Sequence, residues 1–356
     1  PMIFSRTRGW IGVDIGTHTV KLAQVERRGS RVELVEALSI PRQEPWPESG
    51  EDASSIASSL EIQAALSLGS RFRGRDAAVT LPMAVCDVRT CNVEGDTDAE
   101  QRAAVLRELD SVATDTQGTR EFDFWSVELP VEKGPAADNT IALSVPSSWA
   151  SRVAEDMRES RLVGHVLDGL PLAAARAIAL SAPNTTTPIA AVDWGHQRAT
   201  LCCVKSGRPL FVRCLRECGF QSVTDAVCKA LAVTPDEAQK LLHDHGLPNR
   251  MHGGVTELQG VIEEVTREPL DRFVEELRRT TAFLSFQRRS IAPTKVVLLG
   301  GGAAVKNMAG YLNERVEMPI ETWSLDAAAS IAFTELRQPI ELFGPAIALS
   351  SLAWGT

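Results

Sequence analysis

No run of about eighteen apolar residues occurs anywhere in the chain, and its N-terminus lacks the apolar stretch of a secretory signal. A membrane-spanning helix is therefore not expected, and any membrane role is expected to run through a partner. Cysteine is sparse: seven residues, an odd number without regular spacing, exclude a disulfide framework and fit a reducing compartment. Basic residues are outnumbered, 37 Lys and Arg against 46 Asp and Glu, for a net charge of −9. That balance argues against general nucleic-acid binding and for a cytoplasmic protein. Neither the Walker pattern G-x-x-x-x-G-K-[ST] nor the Rossmann fingerprint G-x-G-x-x-G is present. The 356 residues suffice for two or more domains with ample core. Pro1 ahead of Met2 reads as a residue left by an expression tag, and Arg6 and Arg8 beside Phe4 are too few charges for a lipid anchor, so a frayed terminus is expected there.

What is present is a hairpin, and then its copy. Trp10 to Ile15 reads as a buried strand, Gly16-Thr17-His18-Thr19 as a tight turn, and Val20 to Val25 as the returning strand. Asp14 stands at the mouth of the first strand, where a carboxylate can hold the water shell of Mg²⁺. The turn hydroxyl and the backbone N–H groups beside Gly16 can face phosphate oxygens, and Lys21 adds a point charge. One such hairpin says little, since most strands ending in Asp before a Gly turn are ordinary. Half a chain later, however, Pro188 to Leu201 repeats apolar strand, Asp193-Trp194-Gly195, polar turn, Thr200 and returning strand. A third element, Lys295 to Leu299, runs into Gly300-Gly301-Gly302-Ala303, where bare backbone can approach a nucleotide.

Two Asp-x-Gly hairpins in duplicated halves, followed by a strand ending in a glycine triplet, resemble the actin, Hsp70 and sugar-kinase superfamily. The resemblance implies an α/β fold of duplicated ribonuclease-H-like domains around a nucleotide cleft. Between Met83 and Val145 the pattern changes: a strand over Val85–Val93, a helix from Thr97 to about Val112 with Thr97 and Glu100 placed as a capping box, and strands Phe122–Leu129 and Thr140–Val145 around the loop Glu132–Asn139. This strand-helix-strand-strand insert, the following helix from Ser148 to Arg161, the run Gly164 to Ala177, the start Gly9 to Thr17 and the end Phe343 to Leu349 are similar to the PilM family of type IV pilus assembly proteins, actin-like relatives of the division protein FtsA. That resemblance implies subdomain 1A over 1–83 and 146–188, an inserted subdomain 1C over 84–145, subdomain 2A over 189–218 and 292–324, subdomain 2B over 219–291, and C-terminal helices over 325–356 returning to 1A.

The remaining elements are legible as local patterns. Arg31 to Ala37 suits a half-buried strand, and the prolines at 41, 45 and 47 mark a loop after it. A helix from about Ser54 to Leu68 and a strand over Asp76–Pro82 follow. In the second half, Pro209–Leu215 reads as a strand and Ser222–Leu231 as a helix, and Thr234-Pro235-Asp236-Glu237 opens another helix ending near Gly246. A long helix is expected from about Pro269 to Arg289, a short one over Asn307–Arg315, an edge-like strand over Pro319–Trp323 and a last helix from Pro345.

The resemblance assigns roles only to matching positions. Asp14 and Asp193 would hold hydrated Mg²⁺; Gly16, Thr17 and Lys21 would cradle the phosphates of ATP or ADP from one side, Gly195 and Thr200 from the other; Gly300, Gly301, Gly302 and Ala303 would border the adenosine. Three departures bear on nucleotide affinity. Gln239 and Leu242 stand where many relatives carry Glu and Lys, His196 stands where a small residue is commoner, and Trp194 is bulky for its place. The connecting helix, Leu172 to Arg176, offers no Gln, Glu or Asp to position an attacking water; Asp168, the nearest carboxylate, is the one catalytic candidate, with a helix cap as its alternative reading. Hydrolysis is expected to be slow or absent.

Other clusters take plain readings. Cys202 and Cys203 are adjacent on a strand and point to opposite faces, which argues against a zinc site with Cys214 and Cys218. His243-Asp244-His245 reads as a helix C-terminus complementing the dipole, and Arg71 to Arg75 as a solvated loop. The family resemblance implies an adaptor at the inner face of the inner membrane that binds the cytoplasmic tail of a bitopic PilN-like partner, near Val85–Val93 and the helix Ser148–Arg161, and connects it to pilus motor ATPases. An FtsA-like division role would call for an amphipathic membrane helix after a linker, which the last residues, Trp354-Gly355-Thr356, do not supply. A small-molecule kinase would need a general base in the cleft, and none is identifiable. A type II secretion platform protein is a closer variant, disfavoured by the lack of a transmembrane helix.

Overall fold

The computed structural model describes residues 7–29, 31–44, 46, 56–111, 119–127, 139–215, 217–250, 254–325 and 338–355. The readings made above for Phe4 and Arg6, for Pro45 and Pro47, and for the loop 132–138 lie outside these residues.

Two sheets of the same design carry the two halves. In the first, β1 (Thr7–Arg8) and β2 (Ile11–Ile15) pair in succession with β3 (Thr19–Arg28), β4 (Arg31–Pro41) lies on the other side of β3, and α1 (Ser59–Leu68) leads to β5 (Asp76–Thr80). After an insert, α3 (Ser147–Glu159) leads to β9 (Val163–Asp168), so the strands lie in the order β4-β3-β2-β5-β9. The second sheet is built from β10 (Ile189–Trp194), β11 (Ala199–Lys205), β12 (Arg208–Leu215), β13 (Val296–Leu299) and β14 (Ile320–Thr322), in the order β12-β11-β10-β13-β14. Each sheet thus has a central strand with an antiparallel hairpin partner on one side and a parallel neighbour on the other. The repetition extends to irregularities. The β3/β4 register shifts between Gln24 and Val25, and the β11/β12 register shifts between Cys203 and Val204, at the same distance from the two Asp-x-Gly turns.

The halves exchange helices, which is why they do not behave as separate beads. α4 (Leu170–Ser181) follows the last strand of the first sheet but packs on β10, β11 and β12, while α9 (Gly344–Ser351) follows the second sheet but packs on β2, β3 and β5. Between them lies one apolar cluster drawn from both sheets, including Ala23, Val25, Leu34, Ile178, Ala191, Val204, Trp323 and Ile347. Polar locks fix the crossing helices: the Ser350 hydroxyl accepts from Val25 N–H at 3.0 Å and donates to the Trp10 carbonyl, and Trp323 Nε1 donates to Ala177 O at 2.9 Å. The buried alanines of α4, Ala173, Ala174, Ala175 and Ala177, leave room for α9 to pack against it.

The insert carries its own sheet, in the order β6 (Asp87–Cys91), β8 (Thr140–Pro146), β7 (Arg120–Ser126), with α2 (Asp98–Ser111) against it. Thr97 and Glu100 form the reciprocal cap, Glu100 N–H to Thr97 Oγ1 at 3.3 Å and Thr97 N–H to Glu100 Oε2 at 3.1 Å. A small core of Cys91, Val93, Val105, Leu109 and Ala142 holds the insert together. It touches the second half through Trp125, whose Nε1 donates to Pro209 O at 2.7 Å.

The second half adds α5 (Gln221–Leu231), α6 (Pro235–Asp244), α7 (Glu257–Gln287) and the short α8 (Met308–Asn313). α7 begins twelve residues before Pro269, at Glu257, with Thr256 and Gln259 as its capping box. An interior proline costs about 3 kcal/mol, but Ile262, Thr266, Leu270, Phe273, Leu277 and Leu284 form a buried stripe continuous through it, and that packing outweighs the lost bond. The strand after the second turn of the chain runs on to Pro41, where the missing N–H falls at the strand's end. α1 is described from Ser59, after non-helical 56–58, where Ser58 N–H is taken by Asp156 Oδ2 at 3.1 Å; Ser54, the expected start, lies outside the described residues. β9 escaped the sequence reading because Gly164 and His165 interrupt its alternation. Thr7 and Arg8 are not frayed: they pair with β3, and Arg8 is held by Glu26. No helix among the described residues is long and apolar enough to cross a membrane.

Candidate functional site

The two hairpin tips face each other across a cavity of about 320 Å³ between the halves. All seven residues expected at phosphate and metal line it: Asp14, Gly16, Thr17 and Lys21 from the first half, Asp193, Gly195 and Thr200 from the second. Hairpin register explains the placement. Asp14 lies opposite Lys21 and Asp193 opposite Thr200, so each turn presents one carboxylate beside one cross-strand partner. The turns are also alike in detail. Gly16 N–H donates to Thr19 O at 2.9 Å, and a Cβ on Gly195 would meet Arg198 O at 3.0 Å.

Charge in the cleft is concentrated and buried. Lys21 Nζ donates to Asp14 Oδ2 at 3.0 Å. Burial alone would lower the Lys21 ammonium, but the carboxylates of Asp14 and Asp193 outweigh it and hold the lysine protonated. Asp193 is pushed up to about 6, chiefly by burial and partly by Asp14, with Lys21 opposing. Two carboxylates facing one ammonium leave a negative remainder, which suits a hydrated divalent cation. Among the described residues no three His, Cys, Asp or Glu side chains stand together as a closed metal site.

The glycine triplet divides into different tasks. Gly300, at φ +84°, passes so close to the second aspartate that a Cβ would lie 2.6 Å from Asp193 Oδ1. Gly301 lines the cavity. Gly302 instead makes room for Trp194, whose ring would be 2.3 Å from a Cβ there. Ala303 is buried in the core of the second half. Of the four residues expected around an adenosine, Gly301 is thus the one that reaches the cavity wall. Trp194 does not crowd the cleft either: its ring stacks on Phe273 at 3.8 Å and its Nε1 donates to Cys218 O at 2.9 Å, inside the core.

α6 supplies the side of the cavity that the sequence resolved least. Its helical period brings Asp236, Gln239, Lys240 and His243 to one face, and all four line the cavity, while Ala238 and Leu242 on the opposite face enter the core. Leu242 is therefore a core residue and not a nucleotide-facing one. His243 is not simply a dipole partner, since it lines the cavity and its Nε2 is buried without a hydrogen bond. The polar stripe at 236, 239–240 and 243 was the available signal. His18 was also passed over: its ring stacks on His196, with centroids 4.4 Å apart and planes 16° from parallel.

Asp168 lies outside the cavity lining. Its Oδ2 accepts from Arg176 Nη1, and the cap of α4 is Gly169 without a side-chain bond, so the capping role expected of Asp168 is not seen. Burial raises the Asp168 carboxyl and Arg176 opposes the shift. α4 contributes only Leu170 to the cavity. Cys202 and Cys203 do face opposite sides, Cys202 in the central layer and Cys203 against Ile291, to whose carbonyl its thiol donates at 2.7 Å.

Duplicated sheets that exchange helices around a cleft, with an aspartate at each hairpin mouth, define an actin-like protein. The family model described as type IV pilus assembly protein PilM matches residues 12–344, and the chain belongs to that family. Among solved structures it is similar to the PilM-PilN type IV pilus biogenesis complex, with a TM-score of 0.76 and 21% identity over 100% of both chains. It is similar also to the ethanolamine utilization protein EutJ from Carboxydothermus hydrogenoformans, with a TM-score of 0.52 and 11% identity over 97% of this chain and 90% of that one. MreB5 of Spiroplasma citri bound to ADP gives a TM-score of 0.50 and 12% identity over 95% of each chain. No curated protein matches the chain in sequence.

Proposed function

We propose that this PilM-family chain is a cytoplasmic, ATP-binding adaptor of a type IV pilus or related secretion platform, peripheral to the inner membrane and attached to it through partners. The observation that carries the nucleotide reading is the convergence of Asp14, Lys21 and Asp193 on one cavity from two symmetric hairpins. ATP or ADP would place its phosphates between the turns, with Gly16, Thr17 and Lys21 on one side and Gly195 and Thr200 on the other. Asp14 and Asp193 would hold Mg²⁺ through water, and Gly301 would lie toward the adenosine. The metal would neutralise phosphate charge. The chain's part is to position and to bridge the lobes, so that the nucleotide sets the angle between them. Since α4 brings no carboxylate or amide to the cavity, hydrolysis is slow or absent in this reading.

The partner is a PilN-like cytoplasmic tail, a reading supported by the likeness to a PilM-PilN complex. The insert, 84–145, would act as subdomain 1C, with the tail near β6 and α3. β6 is at the margin of its three-stranded sheet, which suits addition of an extended peptide by backbone hydrogen bonds. Pilus motor ATPases are the further partners. Calorimetric titration of a synthetic tail peptide into the protein with Mg-ATP tests this: binding that is weakened by an Arg89→Pro substitution in β6 supports it, and no heat of binding at high peptide concentration contradicts it.

A further inference from the structure

We propose that His18 and His196 form a clasp between the hairpin tips: phosphate binds by parting the stacked rings, and each freed imidazole then donates a charge-assisted hydrogen bond to phosphate oxygens. The inference rests on the reading of the cleft as a nucleotide site and adds two phosphate-contacting residues that the sequence did not assign. Position is its first support. His18 follows Gly16-Thr17 in the first turn and His196 follows Gly195 in the second, so the stack joins the two loops that would grip the phosphates. Rings with centroids 4.4 Å apart and nearly parallel leave no room for a phosphate between them. The clasp and the ligand exclude each other.

Charge decides which state holds. Burial lowers both imidazoles, His196 to about 4 with a further push from His18, so the stack in the closed cleft is neutral. Asp236 on α6 favours protonation of His18 and Lys21 on β3 disfavours it. Lys240, His243 and Asp244 on α6, Arg198 in the second turn, and Asp14 and Asp193 at the strand mouths complete the ionisable lining. Two imidazolium rings in contact repel, but a polyanion between them attracts both. Phosphate binding therefore raises the two groups and takes up protons. By linkage, affinity grows as pH falls below the bound-state value and levels off below the free-state value. Parting the rings also costs their stacking, which weakens binding at alkaline pH.

The test is calorimetric titration of ATP in EDTA, which removes the metal and the contribution of the two aspartates through it. Wild type, a His18→Ala/His196→Ala double variant and a His18→Gln/His196→Gln double variant are compared at about pH 6.5 and about pH 8, in two buffers of different protonation enthalpy. The ligand's own titration is common to all three and cancels. The clasp predicts that wild type takes up more protons on binding than either variant, gaining up to about tenfold in relative affinity per pH unit for each extra proton. It predicts that at alkaline pH the alanine variant binds at least as tightly as wild type. Equal proton uptake and equal pH profiles would overturn the clasp while leaving the nucleotide site standing. Binding by none of the three, with Mg²⁺ restored as well, would overturn the nucleotide reading and the clasp together.

Discussion

Lys21 Nζ lies 3.0 Å from Asp14 Oδ2 across one rung of the first hairpin, and the equivalent rung of the second hairpin pairs Asp193 with Thr200. The site is thus symmetric in backbone and asymmetric in charge: across this rung one jaw sets a lysine against its carboxylate, and the other sets a neutral threonine. Removing the ammonium while keeping its stem, by Lys21→Met, leaves Asp14 and Asp193 facing each other uncompensated. Breaking a buried pair in this way costs about 3–5 kcal/mol. The variant should unfold at lower temperature than wild type, and Mg²⁺ alone should restore more stability to it than to wild type. Equal metal effects in both proteins would show that the lysine does not neutralise the aspartates.

Asp193→Asn should act in the opposite direction on the free protein. The folded-state carboxyl is raised to about 6 from its ordinary 3.8 by burial. For an acid this means that the folded state holds its proton where the unfolded chain has lost it, so stability falls as pH rises from 3.8 to about 6. Above that window the ionised group costs up to about 3 kcal/mol, at about 1.4 kcal/mol for each pH unit separating the folded and unfolded values. The amide removes the penalty. Without ligand, the Asp193→Asn variant should therefore melt higher than wild type at about pH 8 and not at about pH 4, while any gain from Mg-nucleotide is lost. A lower midpoint at both values would contradict this account of the buried charge.

Gly302→Ala tests whether the glycine triplet serves the core as well as the cleft. The added methyl would sit 2.3 Å from the Trp194 ring, which is pinned between Gly302, Phe273 and the Cys218 carbonyl. Overpacking of this kind costs about 1–3 kcal/mol. The urea midpoint should fall and Trp fluorescence should report a changed ring environment, with ligand affinity affected less than stability. A variant as stable as wild type would mean that the ring has another place to go.

Trp125→Phe removes the 2.7 Å hydrogen bond from the insert to Pro209 on β12 while keeping most of the ring. Global stability should drop by about 1 kcal/mol. Hydrogen exchange should rise in β7 and β12 together, since each loses its tie to the other. Faster exchange in neither would remove the insert's role as a bridge between the halves.

Much of the fold was readable because the duplicated turns are spelled out in residue types that have few alternatives: Asp before Gly at the end of an apolar strand, twice, and a glycine triplet after a third strand. The capping box at Thr97 and Glu100 and the helix opening at Thr234-Pro235 were equally local. What sequence hid was decided by tertiary packing. Pro269 suggested a helix start because the local cost of an interior proline is visible, whereas the buried stripe that overrides it runs from Ile262 to Leu284. Leu242 was placed in the cleft by family position, but the helical period turns it into the core and leaves Lys240 and His243 facing the cavity. Trp194 is bulky for a cleft position, and the compensation lies over a hundred residues away at Gly302. The His18–His196 stack joins two turns from opposite halves, so no window of sequence contains it.

The central claim is that the facing hairpins bind Mg-nucleotide through Asp14 and Asp193. Thermal unfolding of wild type and Asp14→Ala across a Mg-ATP titration tests it most directly. At about 100 times its dissociation constant a ligand adds roughly 2.7 kcal/mol, a plainly measurable rise in midpoint. The account predicts that rise in wild type and its loss in the variant; a wild-type midpoint unmoved by saturating Mg-ATP would contradict it, and would leave an actin-like scaffold that works without nucleotide.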